Sequence, residues 1–198
     1  MKFKRLAAYV VDIMLVSFLS SLIFTTLFKD NATKYEESML ELRETIQTLG
    51  SGIENNDTIN DLTYTMAKNS VTLTIITVSL QIIYFIFIQY FLNGVTAGKK
   101  LLGIQVKSVN SKKLSAPWFV LREIILFVMP VKIIDIILLI NLKKDTYMSC
   151  SSVGTYITMI IYILIIGFMI FRDDNKGLHD ILCKSDVVEV KKNKKLEE

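Results

Sequence analysis

An all-α membrane protein, a bundle of about four transmembrane helices, is the fold that three features of the sequence predict. Segments of about 20 residues run almost free of charge, although 21% of the 198 residues are charged. The charges gather in blocks between those segments, against a background of 52% hydrophobic residues and a mean hydropathy of +0.44. Two Pro, eight Gly and no repeat of 20–50 residues exclude a low-complexity chain and a repeat array.

The first span, residues 6–28, is interrupted only by Asp12 and small hydroxyl residues. At 1.5 Å per residue it covers about 34 Å, enough for a hydrocarbon core of about 30 Å. It follows the basic Met1-Lys2-Phe3-Lys4-Arg5 but is too long for a signal-peptide core and has no A-x-A site, so a retained helix is expected. Residues 71–92 hold no charge and form the second span. The third, 117–140, carries Arg122, Glu123, Lys132 and Asp135 with Pro130 near its middle. A proline there removes a backbone hydrogen bond, so this segment is kinked, broken into two half-helices, or partly interfacial. The fourth span is 153–171, with Gly154 and Gly167 as small residues that let a neighbour approach.

Loop charge sets the orientation. Lys2, Lys4 and Arg5 precede the first span, and Lys99, Lys100, Lys107, Lys112 and Lys113 follow the second without one acid. Both stretches read as cytoplasmic by the positive-inside rule, as does the carboxyl tail with its seven cations. The 29–70 connection holds four cations against eight acids and reads as outside. Residues 1–190 then form one transmembrane domain with both termini inside the cell, followed by a charged tail, 191–198. Only Lys143 and Lys144, in the short turn after the third span, disagree.

Smaller elements follow from periodicity. Met39, Leu42, Ile46 and Leu49 recur at helical steps among Glu and Arg, predicting an amphipathic helix over Tyr35–Leu49 that ends at Gly50-Ser51-Gly52 and lies over the mouth of the bundle. Alternation through Ile104, Val106 and Val109, then Asn110-Ser111-Lys112-Lys113, predicts a small cytoplasmic hairpin. Leu178, Ile181 and Leu182 give a short carboxyl-terminal amphipathic helix with Asp180 turned toward the bundle.

Few motifs carry recognisable chemistry. Gly94-Val95-Thr96-Ala97-Gly98-Lys99-Lys100 lacks the spacing and the Ser or Thr of a Walker loop, so no nucleotide site is expected. A lone His179 with Cys150 and Cys183 far apart gives no metal site, and the topology puts those thiols on opposite sides of the bilayer. No cofactor and no nucleic-acid partner is expected.

The ionisable groups inside the spans carry more, because a charge in hydrocarbon costs at least about 2.5–3.5 kcal/mol and is paired, turned inward or functional. Arg5 and Asp12, seven residues apart, share a helix face. Matched depth predicts an Asp12–Arg122 pair, and Arg5 is the nearest cation for Asp180. Lys132 and Asp135 fall near the outer interface, either as snorkelling groups or as part of an ion path.

These residues also carry a resemblance. Arg5-Leu6-Ala7-Ala8-Tyr9-Val10-Val11-Asp12, Gly94-Val95-Thr96-Ala97-Gly98-Lys99-Lys100-Leu101-Leu102-Gly103-Ile104-Gln105-Val106, Arg122 and Lys176-Gly177-Leu178-His179-Asp180 together resemble the RDD family of bacterial membrane proteins. That family is named for one Arg and two Asp, which match Arg5, Asp12 and Asp180. Ala97 and Cys183 depart from its usual residues, and the outer loop and tail fall outside the match. The resemblance implies a multi-span helical protein of the bacterial cell membrane, with transport of an ion or small solute as its expected role.

Transport rests on Asp12, Arg122 and Asp180 converging in the cytoplasmic half of the bundle, with Arg5 completing the family motif; Lys132, Asp135, His179, Lys99 and the Gly94, Thr96, Gly98 and Gly103 motif are secondary candidates. The alternative is an accessory or assembly subunit whose charges lock helices together. Four spans make a thin wall, so a homodimer or another membrane subunit is the expected partner, beside the lipid itself. An enzyme is the least supported class, with no G-x-S-x-G and no metal constellation.

Overall fold

The structure is a computed structural model describing residues 2–49, 56–110, 113–174 and 176–190. Its elements are α1 (Lys2–Leu27), α2 (Lys29–Leu49), α3 (Asn56–Gln81), a π-helical segment (Ile82–Ile88), α4 (Gln89–Phe91), α5 (Ala97–Leu101), β1 (Ile104–Ser108), α6 (Ala116–Phe127), α7 (Met129–Asn141), α8 (Lys144–Phe171), α9 (Leu178–Leu182) and β2 (Ser185–Glu189). Among the described residues three helices are long and apolar enough to cross a membrane: Lys2–Leu27, Asp57–Phe91 and Lys144–Phe171. In the last, only 6% of the most apolar stretch is buried, so its hydrophobic surface faces outward as a lipid-facing helix requires.

Of the forms expected for the third span, the structure has the break into two half-helices. These are α6 and α7, and neither alone has the length of a span. The break falls at Val128, which adopts the left-handed conformation at φ 50°, a conformation unusual for a β-branched residue. Pro130 follows in the first turn of α7, where the missing N–H has no helical acceptor to serve. The proline thus opens a second helix rather than bending one.

The chain divides into two compact units. One comprises Met1–Val16, Gln81–Phe127 and Ile161–Glu198, the other Ser17–Leu80 and Val128–Ile160.

In the second unit the 29–70 connection is more than a short cap. The helical hydrogen-bond pattern runs almost unbroken from α1 into α2, with Phe28 N–H donating to the Phe24 carbonyl and Ala32 N–H to that of Phe28. Helix α3 begins at Asn56, 15 residues before the apolar stretch, and pairs antiparallel with α2: Asn31 donates to Thr72 at 2.9 Å, and Asn69 to the Lys34 carbonyl at 3.2 Å. Lys144 binds Asp61 at 2.6 Å, and Gly154 accepts Val131 at 3.6 Å from where its Cβ would stand. At Gly167, in the first unit, nothing among the described residues stands within 4 Å of the corresponding point. Gly50-Ser51-Gly52 lies outside the described residues.

In the first unit the expected hairpin is corrected. Strand β1 exists, but among the described residues its partner is β2, antiparallel in the register Ile104↔Glu189 to Ser108↔Ser185. Local alternation reveals a strand but not its mate, and here the mate is about 80 residues away in the carboxyl-terminal segment. Ile104, Val106 and Val187 turn one face of this ribbon into a core with Ala8, Leu114 and Phe119. The short carboxyl-terminal helix is present as α9, with His179 and Asp180 buried and Leu182 half exposed.

Candidate functional site

Helix α1 buries one stripe: Arg5, Ala8, Asp12 and Val16 in the first unit, then Ser20 and Phe24. The steps of three and four place them on one face, while Leu6, Val10, Met14 and Phe18 on other faces stay exposed. The buried face is the more polar one, the pattern of a helix whose outer surface meets hydrocarbon.

Asp12 is held entirely by neutral donors. Its carboxylate accepts from the Tyr84 hydroxyl at 2.7 Å, the Gly98 N–H at 2.8 Å and the Thr96 hydroxyl at 2.5 Å. Thr96 is also the N-cap of α5, its oxygen accepting from Lys99 N–H, and the Tyr84 oxygen accepts from Ala97 N–H. Tyr84 and Phe85 lie on the π-helical segment, whose i→i+5 bonding shifts the register of side chains around the helix. A Cβ on Gly98 would run into the Ala8 carbonyl and stand 3.0 Å from the Asp12 carboxyl carbon, so only glycine lets α5 lie this close to α1. Gly94, at φ +86°, turns the chain out of α4, and its carbonyl accepts from Val106 N–H at 3.0 Å. Gly103 ends the motif just before β1, its carbonyl accepting from Val190 N–H.

Asp180 is the hub of a second network. It binds Arg5 through one oxygen and the Arg122 Nε at 3.1 Å through the other. It also accepts from Ser185 at 3.2 Å and from Gly177 N–H at 3.1 Å, capping its own helix. Arg122 pairs in turn with its neighbour Glu123, which is wholly buried. Burial alone would raise the Asp180 carboxyl, but Arg122, His179 and Arg5 outweigh it and hold it well below the usual range. His179 Nε2 lies 3.4 Å from Asp180. Burial drives the imidazole down to about 3, against the pull of Asp180, so it is neutral at physiological pH.

The two networks meet at a partly open cavity of about 110 Å³ in the first unit. Arg5, Asp12, Lys99, Arg122 and His179 form its polar lining, and Tyr9, Phe85, Tyr162, Ile165 and Met169 are among the apolar residues. Lys99 is 9% exposed. Among the described residues no carboxylate lies within 4.0 Å of its ammonium. Burial lowers it to about 8, only partly offset by Glu123.

A family model described as the RDD family matches residues 2–184. The chain belongs to the RDD family. No match was found among curated proteins, and none among solved structures. Arg5, Asp12 and Asp180, which the sequence resemblance matched to one Arg and two Asp, fall in one unit of the fold together with Arg122.

Of the expected contacts, Arg5–Asp180 is present and Asp12–Arg122 is not. Arg122 lies one residue from Glu123 and faces Asp180, while Asp12 turns to α5. Equal depth along two helices does not fix the direction in which either side chain points. Lys132 and Asp135 belong to the other unit, where Tyr147 donates to Asp135 at 3.4 Å. Sequence reasoning missed Glu123 and Tyr84 as members of the site. A second charge inside a span was signal enough for Glu123, whereas Tyr84 had none.

Proposed function

We propose that this RDD-family membrane protein crosses the cell membrane four times, with both ends on the cytoplasmic side, and carries a small solute or ion by way of the cavity in its first unit. The observation that carries this reading is that the ionisable groups wall a cavity instead of filling the space between helices. Charges serving packing alone would leave no room beside them.

Three facts support the topology. Arg5 and Lys4 near the start of the chain bind Asp180 and Glu189 near its end, which an even number of crossings allows. Three full-length helices leave the fourth crossing to α6 and α7 together, and those two fall in different units, as the two ends of each long helix do. The first unit holds 16 of the Lys and Arg and the second 7, and the positive-inside rule associates a cation-rich part with the cytoplasm. Lys144, which counted against this orientation, is neutralised by Asp61 of the acidic connection.

The accessory-subunit reading has its own support: the Asp12, Glu123 and Asp180 carboxylates all have partners within the first unit. Reconstitution separates the two. Liposomes holding the purified protein and a pH-sensitive dye are exposed to imposed gradients of sodium, potassium, acetate or phosphate. Flux above protein-free liposomes, lost in Lys99→Gln, supports transport. No flux under any gradient favours the accessory role.

A further inference from the structure

The carboxylates around the cavity are held by protein donors: Asp180 has Arg5, Arg122, Ser185 and Gly177 N–H, Asp12 has Tyr84, Thr96 and Gly98 N–H, and Glu123 has Arg122 on Oε1, while its Oε2 is buried without a donor among the described residues. The formal charges are three positive and three negative with His179 neutral. The hydrogen bonds are not balanced. Lys99 carries three N–H donors into the cavity lining without a carboxylate in reach, and a buried ammonium without acceptors is costly. An anionic oxygen is the acceptor that suits such an ammonium best.

The rest of the lining says what that oxygen is attached to. Beside Lys99 the polar lining holds Arg5, Asp12, Arg122 and His179, with the carboxylate of Asp12 occupied by its three donors, and the remaining walls are aromatic and aliphatic, Tyr9, Phe85, Tyr162, Ile165 and Met169 among them. Leu6 of α1 and Ile166 of α8 also line the cavity, yet are 46% and 44% exposed. The cavity therefore opens onto the apolar outer surface of those helices. At about 110 Å³ it is somewhat smaller than a cavity that takes one benzene, about 150 Å³, so it suits a headgroup oxygen and the first few carbons rather than a whole amphiphile.

We propose that this cavity is a binding site for an anionic lipid, entering from the bilayer between α1 and α8, with a headgroup oxygen on Lys99 and the start of its hydrocarbon along Tyr9, Phe85 and Ile165. The inference shares the cavity with the transport reading but does not depend on flux. Burial leaves the Lys99 ammonium titrating at about 8, so occupancy weakens as pH rises through that value.

The test is thermal unfolding of the purified protein in neutral detergent, titrated with phosphatidylglycerol, phosphatidylcholine or inorganic phosphate. Phosphatidylglycerol raises the midpoint of wild type and of Lys100→Gln, whose lysine is exposed, and its apparent affinity falls at least tenfold in Lys99→Gln. Phosphatidylcholine and inorganic phosphate give no comparable shift. Native mass spectrometry of wild type, which needs no variant, retains phosphatidylglycerol in preference to phosphatidylcholine. Equal protection of Lys99→Gln overturns the site, and protection by phosphate matching that by phosphatidylglycerol overturns the lipid in favour of a free anion. Lipid discrimination without flux leaves this inference standing and removes transport; flux without discrimination does the reverse.

Discussion

Arg5 and Asp180 stand 175 residues apart and form a buried ion pair that ties the start of α1 to α9. Asp180 is also shared with Arg122 of α6, so one carboxylate bridges two guanidiniums from two helices, the second of which also pairs with Glu123. Asp180→Ala leaves both cations without it in a buried site, a loss of about 3–5 kcal/mol of the kind measured when one member of a buried pair is removed. Detergent unfolding should show a large fall in stability. The charge swap Arg5→Asp with Asp180→Arg should not restore it, because the new arginine would face Arg122.

Asp12 is fixed by hydrogen bonds, and among the described residues no cation lies within 4.0 Å of its carboxylate. Asp12→Ala strands the Gly98 N–H and two hydroxyls, and each unsatisfied buried group costs about 1–3 kcal/mol. Asp12→Asn keeps one oxygen acceptor and should lose less. Unfolding of both variants in parallel checks the order. If Asn proves as damaging as Ala, the negative charge itself holds α5 in place.

Gly98 and Gly167 make a paired test of close packing. Gly98→Ala drives a methyl group into the Ala8 carbonyl and should cost about 1–3 kcal/mol, the usual range for overpacking. Gly167→Ala meets nothing within 4 Å and should leave stability unchanged or slightly higher, since Ala favours helix. Comparison of their unfolding midpoints distinguishes the two sites.

The buried Lys99 and His179 set the pH response. Lys99 falls from 10.5 unfolded to about 8 folded, so between these values the unfolded chain holds more protons and stability rises with pH. His179 falls from 6.5 to about 3, so stability declines as pH drops through that window. Lys99→Met should flatten the alkaline limb and His179→Leu the acid one, leaving below about 4 the share of the carboxylates that the fold holds low, the buried Asp180 foremost. Midpoints measured from pH 3 to 10 give both slopes.

The membrane character and the Arg5–Asp180 contact were legible because apolar length, charge sign and helical spacing are local quantities. Three features were not. The partner of β1 lies far along the chain, and alternation in Ile104–Val106 carries no address. The break between α6 and α7 was foreseeable from Pro130, but its placement at Val128 depends on how Phe127, Val128 and Met129 are buried. The direction of Asp12 toward Thr96 and Gly98 depends on the approach of α5 to α1, which Gly98 permits but does not announce.

The claim on which the account rests is that both ends of the chain lie together on the cytoplasmic side after four crossings. Its most direct test uses single cysteines at Glu41 and at Val190, with Cys150 and Cys183 replaced, and a membrane-impermeant maleimide on intact cells. Labelling of position 41 from outside, and of position 190 only after permeabilisation, is the predicted result. Position 190 labelled in intact cells while Glu41→Cys is also reached from outside would contradict the four-crossing account.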